Sequence, residues 1–240
     1  AGNPTDYQHC LDNIEDIYQH DAYNSLSIEG YQVTPELIEK IRLGNWNPDA
    51  SASDKAHIAA MAAKGYWEAY QQVKQTIKNA LLNQQPVSLK QNHLQNWYRA
   101  LFSPSVQAGI LSAADLAGYR NRPVFIRQSK HVPPAQHTLM DGMETFFDCL
   151  HQEENAAVRA ILGHFLFVFI HPYPDGNGRI ARFILNAQLV TAGYPWTVIR
   201  LEKRNQYMTA LESASVEGNI KPFTEFIQQE MNIIWTKDSP

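Results

Sequence analysis

Apolar residues recur along most of this chain at the three- and four-residue spacing of an amphipathic helix. The segment 54–82, with Ser53 as its N-cap, is the clearest case, because one of its faces is apolar throughout: Ile58, Met61, Ala62, Tyr66, Ala69, Val73, Ile77 and Leu81. Thr34 before Pro35 is typical of a helix start, and Gly44 of a helix end. The pattern predicts helices over 7–20, 22–30, 35–43, 54–82, 88–102, 136–151, 154–170, 177–192, 202–218 and 221–236.

One stretch departs from the helical pattern. Residues 103–134 contain prolines, glycines and the β-like sequence PVFIRQ, so we predict a loop or a small β-hairpin over 119–131, with its arginines solvated. The apolar run FLFVFI at 165–170 is compatible with a buried strand, but it belongs to a segment longer than a typical strand, and we predict a helix. The fold class is therefore mostly α, with one non-helical excursion.

Composition narrows the class of protein without indicating its function. Hydrophobic residues make up 44% of the chain and charged residues 18%, as in ordinary globular proteins. The formal net charge of −4 gives no reason to expect binding to nucleic acid or to an anionic membrane. The longest apolar run is shorter than the roughly 20 residues of a membrane span. No signal peptide is recognisable, so we expect a cytoplasmic protein.

The chemistry is concentrated in the sequence HPYPDGNGRIAR, from His171 to Arg182, between two predicted helices. Its glycines permit a turn and a close approach of the backbone to a ligand. The second helix begins near Asn177, where unpaired N–H groups and the helix dipole favour an anion such as a phosphate. Arg179 and Arg182 follow one turn apart, so both can reach the same anion.

Two further side chains of this sequence suit phosphoryl chemistry. Asp175 repels a phosphate unless a divalent cation lies between them, and Mg²⁺ prefers a carboxylate together with phosphate oxygens and water. His171, at the start of the loop, can accept a proton near neutral pH. A base, a metal ligand, backbone amides and two arginines together suit attack on a phosphoryl group.

The sequence HPYPDGNGRIAR resembles the signature of Fic-domain proteins, His-x-Phe-x-Asp/Glu-Gly-Asn-Gly-Arg-x-x-Arg. The one departure is Tyr173, where the family usually has Phe, and its hydroxyl needs a partner if the ring is to stay in the core. The resemblance implies a Fic-type helical bundle over 88–240, with a small β-hairpin flap at about 119–131 and a catalytic loop at 171–182. Residues 1–87 would form an N-terminal helical region in the same compact unit.

The resemblance also implies an activity, the transfer of AMP from ATP to a hydroxyl side chain of a target protein. His171 would be the general base, and Asp175 would bind Mg²⁺. Arg179 would steady the transferring phosphates, and Arg182 would hold the γ-phosphate. Phosphate oxygens would lie against Gly176, Asn177 and Gly178. The family's phosphorylating branch departs from Gly-Asn-Gly-Arg, and this chain does not, which favours AMP transfer.

Two other segments are assigned roles by the same resemblance. The sequence SLSIEG fits the family's inhibitory pattern, so that Ser25, Glu29 and Gly30 belong to an inhibitory helix at about 22–30, in which Glu29 pairs with Arg182. The flap would offer its edge to an extended segment of the target, with contacts at Val124, Phe125 and Ile126. Asn205 and Tyr207 are further candidates for contact with the nucleotide, Tyr207 by stacking near the adenine, and the alternative for both is a place in the core or at a helix cap.

Two alternatives remain open from the sequence. The first keeps the site but changes the reaction to removal of AMP or to transfer of another phosphate-containing group. The second is a module without catalysis that binds a nucleotide or a phosphoprotein. A homodimer is equally compatible with the sequence.

Overall fold

The computed structural model of this chain describes residues 6–46 and 54–233, and over these residues it is a helical bundle. The nine α-helices in the described parts of the chain are α1 (Tyr7–Ile28), α2 (Pro35–Arg42), α3 (Asp54–Leu82), α4 (Gln91–Gln107), α5 (Leu139–Gln152), α6 (Ala156–Ile170), α7 (Asn177–Thr191), α8 (Arg204–Val216) and α9 (Lys221–Met231). Short 3-10 helices lie at Ala113–Leu116, Gln136–Thr138 and Leu201–Lys203. The mostly helical prediction is confirmed, and FLFVFI lies in helix α6.

Helix α7 is the central element, and all of its residues except Gly178 are buried. Its apolar side chains join two core clusters, a large one shared with α1 to α6 and a smaller one shared with α8 and α9. The polar side chains on its C-terminal half are paired: Asn186 bonds to the backbone of Thr197, and Gln188 accepts from Arg159. This pairing lets a helix with polar residues occupy the centre of the bundle.

The N-terminal region forms one long helix where two were predicted. Helix α1 continues through Asp21, whose carboxylate is buried and accepts hydrogen bonds from Tyr66 at 2.6 Å and Trp196 at 3.0 Å. A buried, bonded aspartate does not compete with the helix backbone, and this is why the predicted break is absent. The helix ends at Ile28 with Glu29 as its C-cap, and Gly30 then turns the chain away with a φ of +92°.

Helices α3 and α4 pack closely, because α3 has a glycine at the crossing point. A Cβ added to Gly65 would lie 1.9 Å from the carbonyl oxygen of Leu101. Helix α4 begins at Gln91 and runs through Pro104 to Gln107, so its predicted limits of 88 and 102 were wrong at both ends. The predicted N-cap Ser53 and residues 234–236 of the predicted last helix lie outside the described residues.

The segment 119–131 contains no strand, so the predicted β-hairpin does not form. Its two arms are held by other elements instead of by each other. Near the start, Arg120 donates to the carbonyl of Pro172, and near the end Ser129 and Lys130 donate to Glu212 of α8. The prediction of solvated arginines was also wrong for Arg120, which is 5% exposed. None of the helices within residues 6–46 and 54–233 is long and apolar enough to cross a membrane.

Candidate active site

The sequence from His171 to Arg182 forms a loop and a first helical turn between α6 and α7. His171 ends α6 in the left-handed conformation, with φ +53° and ψ +58°. Gly176 is the N-cap of α7 with φ +79°, a backbone conformation that side chains disfavour. The space is also tight, because a Cβ there would lie 3.0 Å from the ring of Phe102.

The loop is held in shape from inside. The side chain of Asn177 is buried, accepts from the backbone N–H of Tyr173 at 3.0 Å and donates to its carbonyl at 2.7 Å. The ring of Tyr173 is fully buried and stacks on Tyr98, with 3.9 Å between ring centroids. Its hydroxyl finds no hydrogen-bond partner among the described residues. The expectation that the ring stays in the core only if the hydroxyl has a partner was therefore wrong.

The N-terminus of α7 is built to receive an anion. No side chain caps it, and its sequence begins Asn177-Gly178-Arg179. The N–H groups of a first turn have no acceptor within their own helix, and the helix dipole is positive there. Two buried arginines, Arg179 and Arg182, follow on the same helix. A buried cation needs an anionic or acceptor partner, so this end of the helix favours a negatively charged ligand.

In this structure an acidic side chain from α1 lies at that position. Arg182 is 2% exposed and donates to Glu29 Oε1 at 2.7 Å, to the hydroxyl of Ser25 at 2.8 Å and to the carbonyl of Ser25 at 3.1 Å. Helix α1 therefore supplies three acceptors to one guanidinium group, and its C-terminal turn lies against the first turn of α7.

Gly178 makes room for this carboxylate. A Cβ on Gly178 would lie 2.4 Å from Glu29 Oε1, so a larger residue would displace it. Burial alone would raise the pKa of Glu29, but the positive charges of Arg182 and Arg179 more than offset this effect, and the pKa lies below its ordinary value. Glu29 is therefore ionised at neutral pH, and the contact with Arg182 is lost only as the pH falls through that lowered pKa.

Arg179 has aromatic partners that the sequence did not reveal. Its guanidinium lies over the rings of Tyr31 and Phe102, 5.2 Å and 5.1 Å from their centroids, distances at which a cation is attracted to an aromatic face. Its only ion pair within the described residues is a 3.3 Å contact with Asp175. Aromatic neighbours at positions 31 and 102 carry no sequence signal that links them to a loop at 171–182.

The tautomer of His171 is the one that a general base needs. Its Nδ1 lies 3.2 Å from the carbonyl of Val168. A carbonyl only accepts, so Nδ1 carries the proton and Nε2 keeps a free lone pair. Desolvation lowers the pKa of His171 below its ordinary value, and the charge of Arg120 acts in the same direction. The Val168 bond raises the pKa by less than desolvation lowers it, and the charges of Glu29 and Asp175 each raise it by less than Arg120 lowers it.

Asp175 is the one acidic side chain of the loop, and it is largely exposed, with 64% of its side chain accessible. One oxygen accepts from the N–H of Gly176 at 2.6 Å, and the other faces Arg179. No group of three or more potential metal ligands occurs in the described residues. A single exposed carboxylate fits Mg²⁺ that takes its other ligands from phosphate and water.

The remaining predicted residues lie away from the loop or behind it. Tyr207 is 1% exposed, and its hydroxyl lies 2.8 Å from His164 Nε2, so it is a core residue. Burial raises its pKa to about 12, although the nearby charge of Arg182 opposes the rise. Asn205 is exposed on α8 and lines a groove of about 360 Å³ between α8 and α9. Contact of Asn205 and Tyr207 with a nucleotide stays a prediction.

The exposure of the three predicted target-binding residues alternates along the chain. Phe125 is 80% exposed, whereas Val124 and Ile126 on either side are half-buried. The alternation is that of an extended chain, although no strand forms there. Target binding by these residues stays a prediction.

The sequence of this chain is similar to a known protein family. A model of the Fic/DOC family matches residues 88–189, a range that includes the whole loop. "Protein adenylyltransferase Fic" from Nematostella vectensis is 30% identical over 218 residues, which are 89% of this chain and 47% of that protein. The chain thus spans about half the length of this relative.

Solved structures share the fold at lower sequence identity. A Fic domain-containing signaling protein from Bacteroides thetaiotaomicron is similar with a TM-score of 0.74 and 20% identity, covering 93% of this chain and 87% of that one. A structure of IbpAFic2 covalently tethered to Cdc42 is similar with a TM-score of 0.50 and 17% identity, covering 85% and 72% of the two chains. At these identities the likeness establishes the fold alone.

Proposed function

This chain belongs to the Fic/DOC family through residues 88–189, and on that premise we propose that it transfers AMP from ATP to a hydroxyl side chain of a target protein. The observation that carries the proposal is the uncapped N-terminus of α7, with two buried arginines behind it and His171 in front of it. The names of its relatives, which are protein adenylyltransferases, support the same reaction.

The first part of the proposal concerns the triphosphate. Backbone N–H groups at the start of α7 bind phosphate oxygens, and Gly176 and Gly178 allow them to approach the helix. Arg179 contacts the transferring phosphates, and Arg182 contacts the γ-phosphate. Asp175 holds Mg²⁺, which neutralises phosphate charge when bound. The electrostatics of the site support these assignments, because each phosphate group would meet an unpaired backbone N–H or a guanidinium.

The second part concerns the proton. Nε2 of His171 takes the proton of the target hydroxyl, and the oxygen forms a bond to the α-phosphorus as the bond from that phosphorus to the departing pyrophosphate breaks. The hydrogen bond from Nδ1 to Val168 keeps the acceptor nitrogen available. The lowered pKa of His171 keeps the ring neutral at physiological pH.

The third part concerns the protein target. An extended target segment lies along residues 122–128, with Phe125 as the exposed apolar contact. This arrangement would bring a hydroxyl side chain to His171, because Arg120, next to this segment, bonds to the backbone of His171. The structure of IbpAFic2 tethered to Cdc42 supports a protein as the substrate class.

The fourth part is self-inhibition. The carboxylate of Glu29 lies on Arg182 and over Gly178, where the γ-phosphate is proposed to bind. Two anions cannot share this position, so Glu29 excludes the productive pose of ATP. Removal of the carboxylate should open the position without changing the rest of the loop.

ATP labelled at either the α- or the γ-phosphate tests which group is transferred to protein. Purified Glu29→Gly protein is incubated with a lysate and Mg²⁺, using ATP labelled at the α-phosphate in one sample and at the γ-phosphate in another. We expect protein labelling from the α-label alone and its loss in Glu29→Gly/His171→Ala. Matched binding measurements of ATP to both variants show whether His171→Ala still holds the nucleotide.

Each other outcome identifies a different function. Labelling from the γ-phosphate alone would replace AMP transfer by phosphorylation. ATP binding without any labelling would leave a binding module or an enzyme for the reverse reaction. Incubation with an AMP-modified protein then separates these two, since release of AMP requires catalysis.

A further inference from the structure

Arg120 is a buried arginine with an unusual set of partners. It is 5% exposed, and it forms no ion pair with any carboxylate in the described residues. All of its hydrogen bonds go to backbone carbonyl groups. Burial lowers its pKa from the ordinary value of an arginine. Such a position is costly for a cation unless its donors are used, so the carbonyl groups it binds point to its role.

Three of these carbonyl groups belong to the end of α6 and the start of the catalytic loop. Nε of Arg120 donates to the carbonyl of His171 at 2.8 Å, and a terminal nitrogen lies 3.4 Å from the carbonyl of Ile170. The backbone N–H of Arg120 donates to the carbonyl of Pro172 at 2.8 Å. The last carbonyl groups of a helix lack partners within it, and a positive charge at this end is favourable.

The other two carbonyl groups lie at the start of the segment 122–128, which is proposed to bind the target, and a few residues beyond its end. A terminal nitrogen of Arg120 donates to the carbonyl of Pro134 at 2.6 Å, and the second terminal nitrogen donates to that of Arg122 at 3.2 Å. One side chain thus joins both ends of residues 122–134 to the backbone of His171. Only the forked guanidinium can do this, because a lysine ammonium offers three donors at a single point.

The backbone at His171 needs such support. A residue other than glycine in the left-handed conformation is strained by about 1–2 kcal/mol, and it persists where its surroundings hold it. At φ +53° and ψ +58°, the conformation of His171 determines where its ring points. Its N–H donates to Phe167 and its Nδ1 to Val168. Arg120 adds contacts with its carbonyl and with the two flanking carbonyl groups, on the side of the loop that those two bonds leave unsupported.

We propose that Arg120 is a positioning residue, whose guanidinium holds the backbone of His171 in its left-handed conformation and thereby aims Nε2 at the hydroxyl presented along residues 122–128. This inference rests on the proposed function for the identity of the reaction, but the positioning itself is a property of the fold. The charge of Arg120 also acts on the ring, since it contributes to the lowered pKa of His171, against Glu29 and Asp175.

The test separates the fork of the guanidinium from its charge. In the Glu29→Gly background, Arg120→Lys keeps the charge and loses the fork, and Arg120→Met loses both. Arg159→Lys and Arg159→Met are the matched controls, because Arg159 is a half-buried arginine on α6 that also donates to a carbonyl and has no bond to His171. The readouts are kcat, KM for ATP, and the pH titration of the His171 ring by NMR.

Both Arg120 variants should lower kcat about 100-fold, which is the effect of a misplaced catalytic group, with KM for ATP changed less than about twofold. The pKa of His171 should rise in Arg120→Met and stay nearer the parent value in Arg120→Lys. Both Arg159 variants should leave kcat and the His171 titration unchanged. A purely structural role would instead lower the melting temperature and leave the folded fraction with parental kcat and titration, and this result would overturn the proposal.

Failure of the proposed function is distinguishable from failure of the positioning. If the Glu29→Gly protein transfers no AMP, the reaction is wrong, but the His171 titration in the Arg120 variants still tests the contact. If the variants do not fold, NMR on the unaltered protein replaces them. The Nε–H of Arg120 should then be protected from solvent exchange, and rapid exchange would overturn the proposal.

Discussion

His171 is the residue on which the proposed chemistry depends, and its surroundings set the pH range of the reaction. Desolvation and Arg120 lower its pKa, while Glu29 and Asp175 act in the opposite direction. The base is active when neutral, so activity is lost as the pH falls through this lowered pKa. Removal of Glu29 takes away one of the groups that raise the pKa, so the variant should titrate lower still.

The first prediction follows from this titration. In the Glu29→Gly protein, kcat/KM for AMP transfer should rise with pH and reach half of its maximum below pH 6.5, the ordinary pKa of histidine. A pH–rate profile from about pH 4.5 to about pH 8 measures it. A midpoint at or above pH 6.5 would show that His171 is not the base, or that its surroundings do not lower its pKa.

Tyr173 provides the second prediction, because its buried hydroxyl lacks a partner in the described residues. Tyr173→Phe removes this hydroxyl and keeps the ring on Tyr98, so the free energy of unfolding should rise by about 1 kcal/mol. Urea denaturation measures the change. A fall of similar size would mean that the hydroxyl is bonded, for example through a buried water.

At the scale of helices, close packing of α3 on α4 is the feature that a single methyl group can test. Gly65→Ala would place its Cβ 1.9 Å from the carbonyl of Leu101, and the helices must separate to accept it. We expect a loss of about 3 kcal/mol in the free energy of unfolding. The matched control is Gly142→Ala on α5, where a Cβ meets nothing within 4 Å and should stabilise by about 1 kcal/mol. Equal effects at both positions would contradict the close contact.

The helices were largely predictable from the sequence, because apolar spacing marks each buried face. The same rule failed where contacts between residues distant in sequence determine the local backbone structure. Asp21 looked like a break between two helices, but bonds from Tyr66 and Trp196 keep it within α1. The segment 119–131 has the composition of a hairpin, yet contacts with α6 and α8 hold its arms. Such contacts join residues far apart in sequence, and local pattern does not report them.

The loop at 171–182 was predictable for a different reason, since its chemistry is contiguous in sequence. The contact of Glu29 with Arg182 spans 153 positions, and it was anticipated only through the resemblance to a family. Arg120, Tyr31 and Phe102 were not anticipated at all. Each contacts the loop through a side chain from a distant element, and each has an ordinary sequence context.

For the molecule as a whole, α1 is an integral part of the fold. Its buried side chains belong to both core clusters, including Leu11, Tyr18 and Leu26 in the larger one and Ile28 in the smaller one. Relief of the proposed inhibition therefore requires only a local movement of Glu29, because separation of α1 would open the core. Asp21 links this helix to the remainder of the bundle and makes its stability depend on pH.

The fourth prediction concerns that dependence. Burial raises the pKa of Asp21 from 3.8 to about 6, against the bonds from Trp196 and Tyr66. The folded state therefore holds this proton more tightly than the unfolded state. The resulting stability is fully present below pH 3.8 and is lost as the pH rises through about 6. The side chain of Asp21→Asn cannot ionise, so this variant does not lose that stability. The free energy of unfolding of the variant, relative to that of the parent, should therefore increase by about 3 kcal/mol as the pH rises through this window.

Urea denaturation at about pH 4 and about pH 7 measures this effect, with Asp16→Asn as the control because Asp16 is an exposed aspartate on the same helix. The control should show no gain on going from the lower to the higher pH. An Asp21→Asn variant whose stability relative to the parent does not change between the two pH values would contradict the assignment.

The most direct measurement of the central claim is the rate of AMP transfer with and without the Glu29 carboxylate. The matched control is Glu217→Gly, because Glu217 is also the C-cap of a helix and precedes a glycine, but its carboxylate accepts from Ser213 of α8 instead of from Arg182. Glu29→Gly should transfer AMP from α-labelled ATP about 10- to 100-fold faster than the unaltered protein, the value of one charged hydrogen bond. Glu217→Gly should not differ from it. Equal rates for Glu29→Gly, Glu217→Gly and the unaltered protein would contradict the claim that Glu29 blocks the phosphate site at the start of α7.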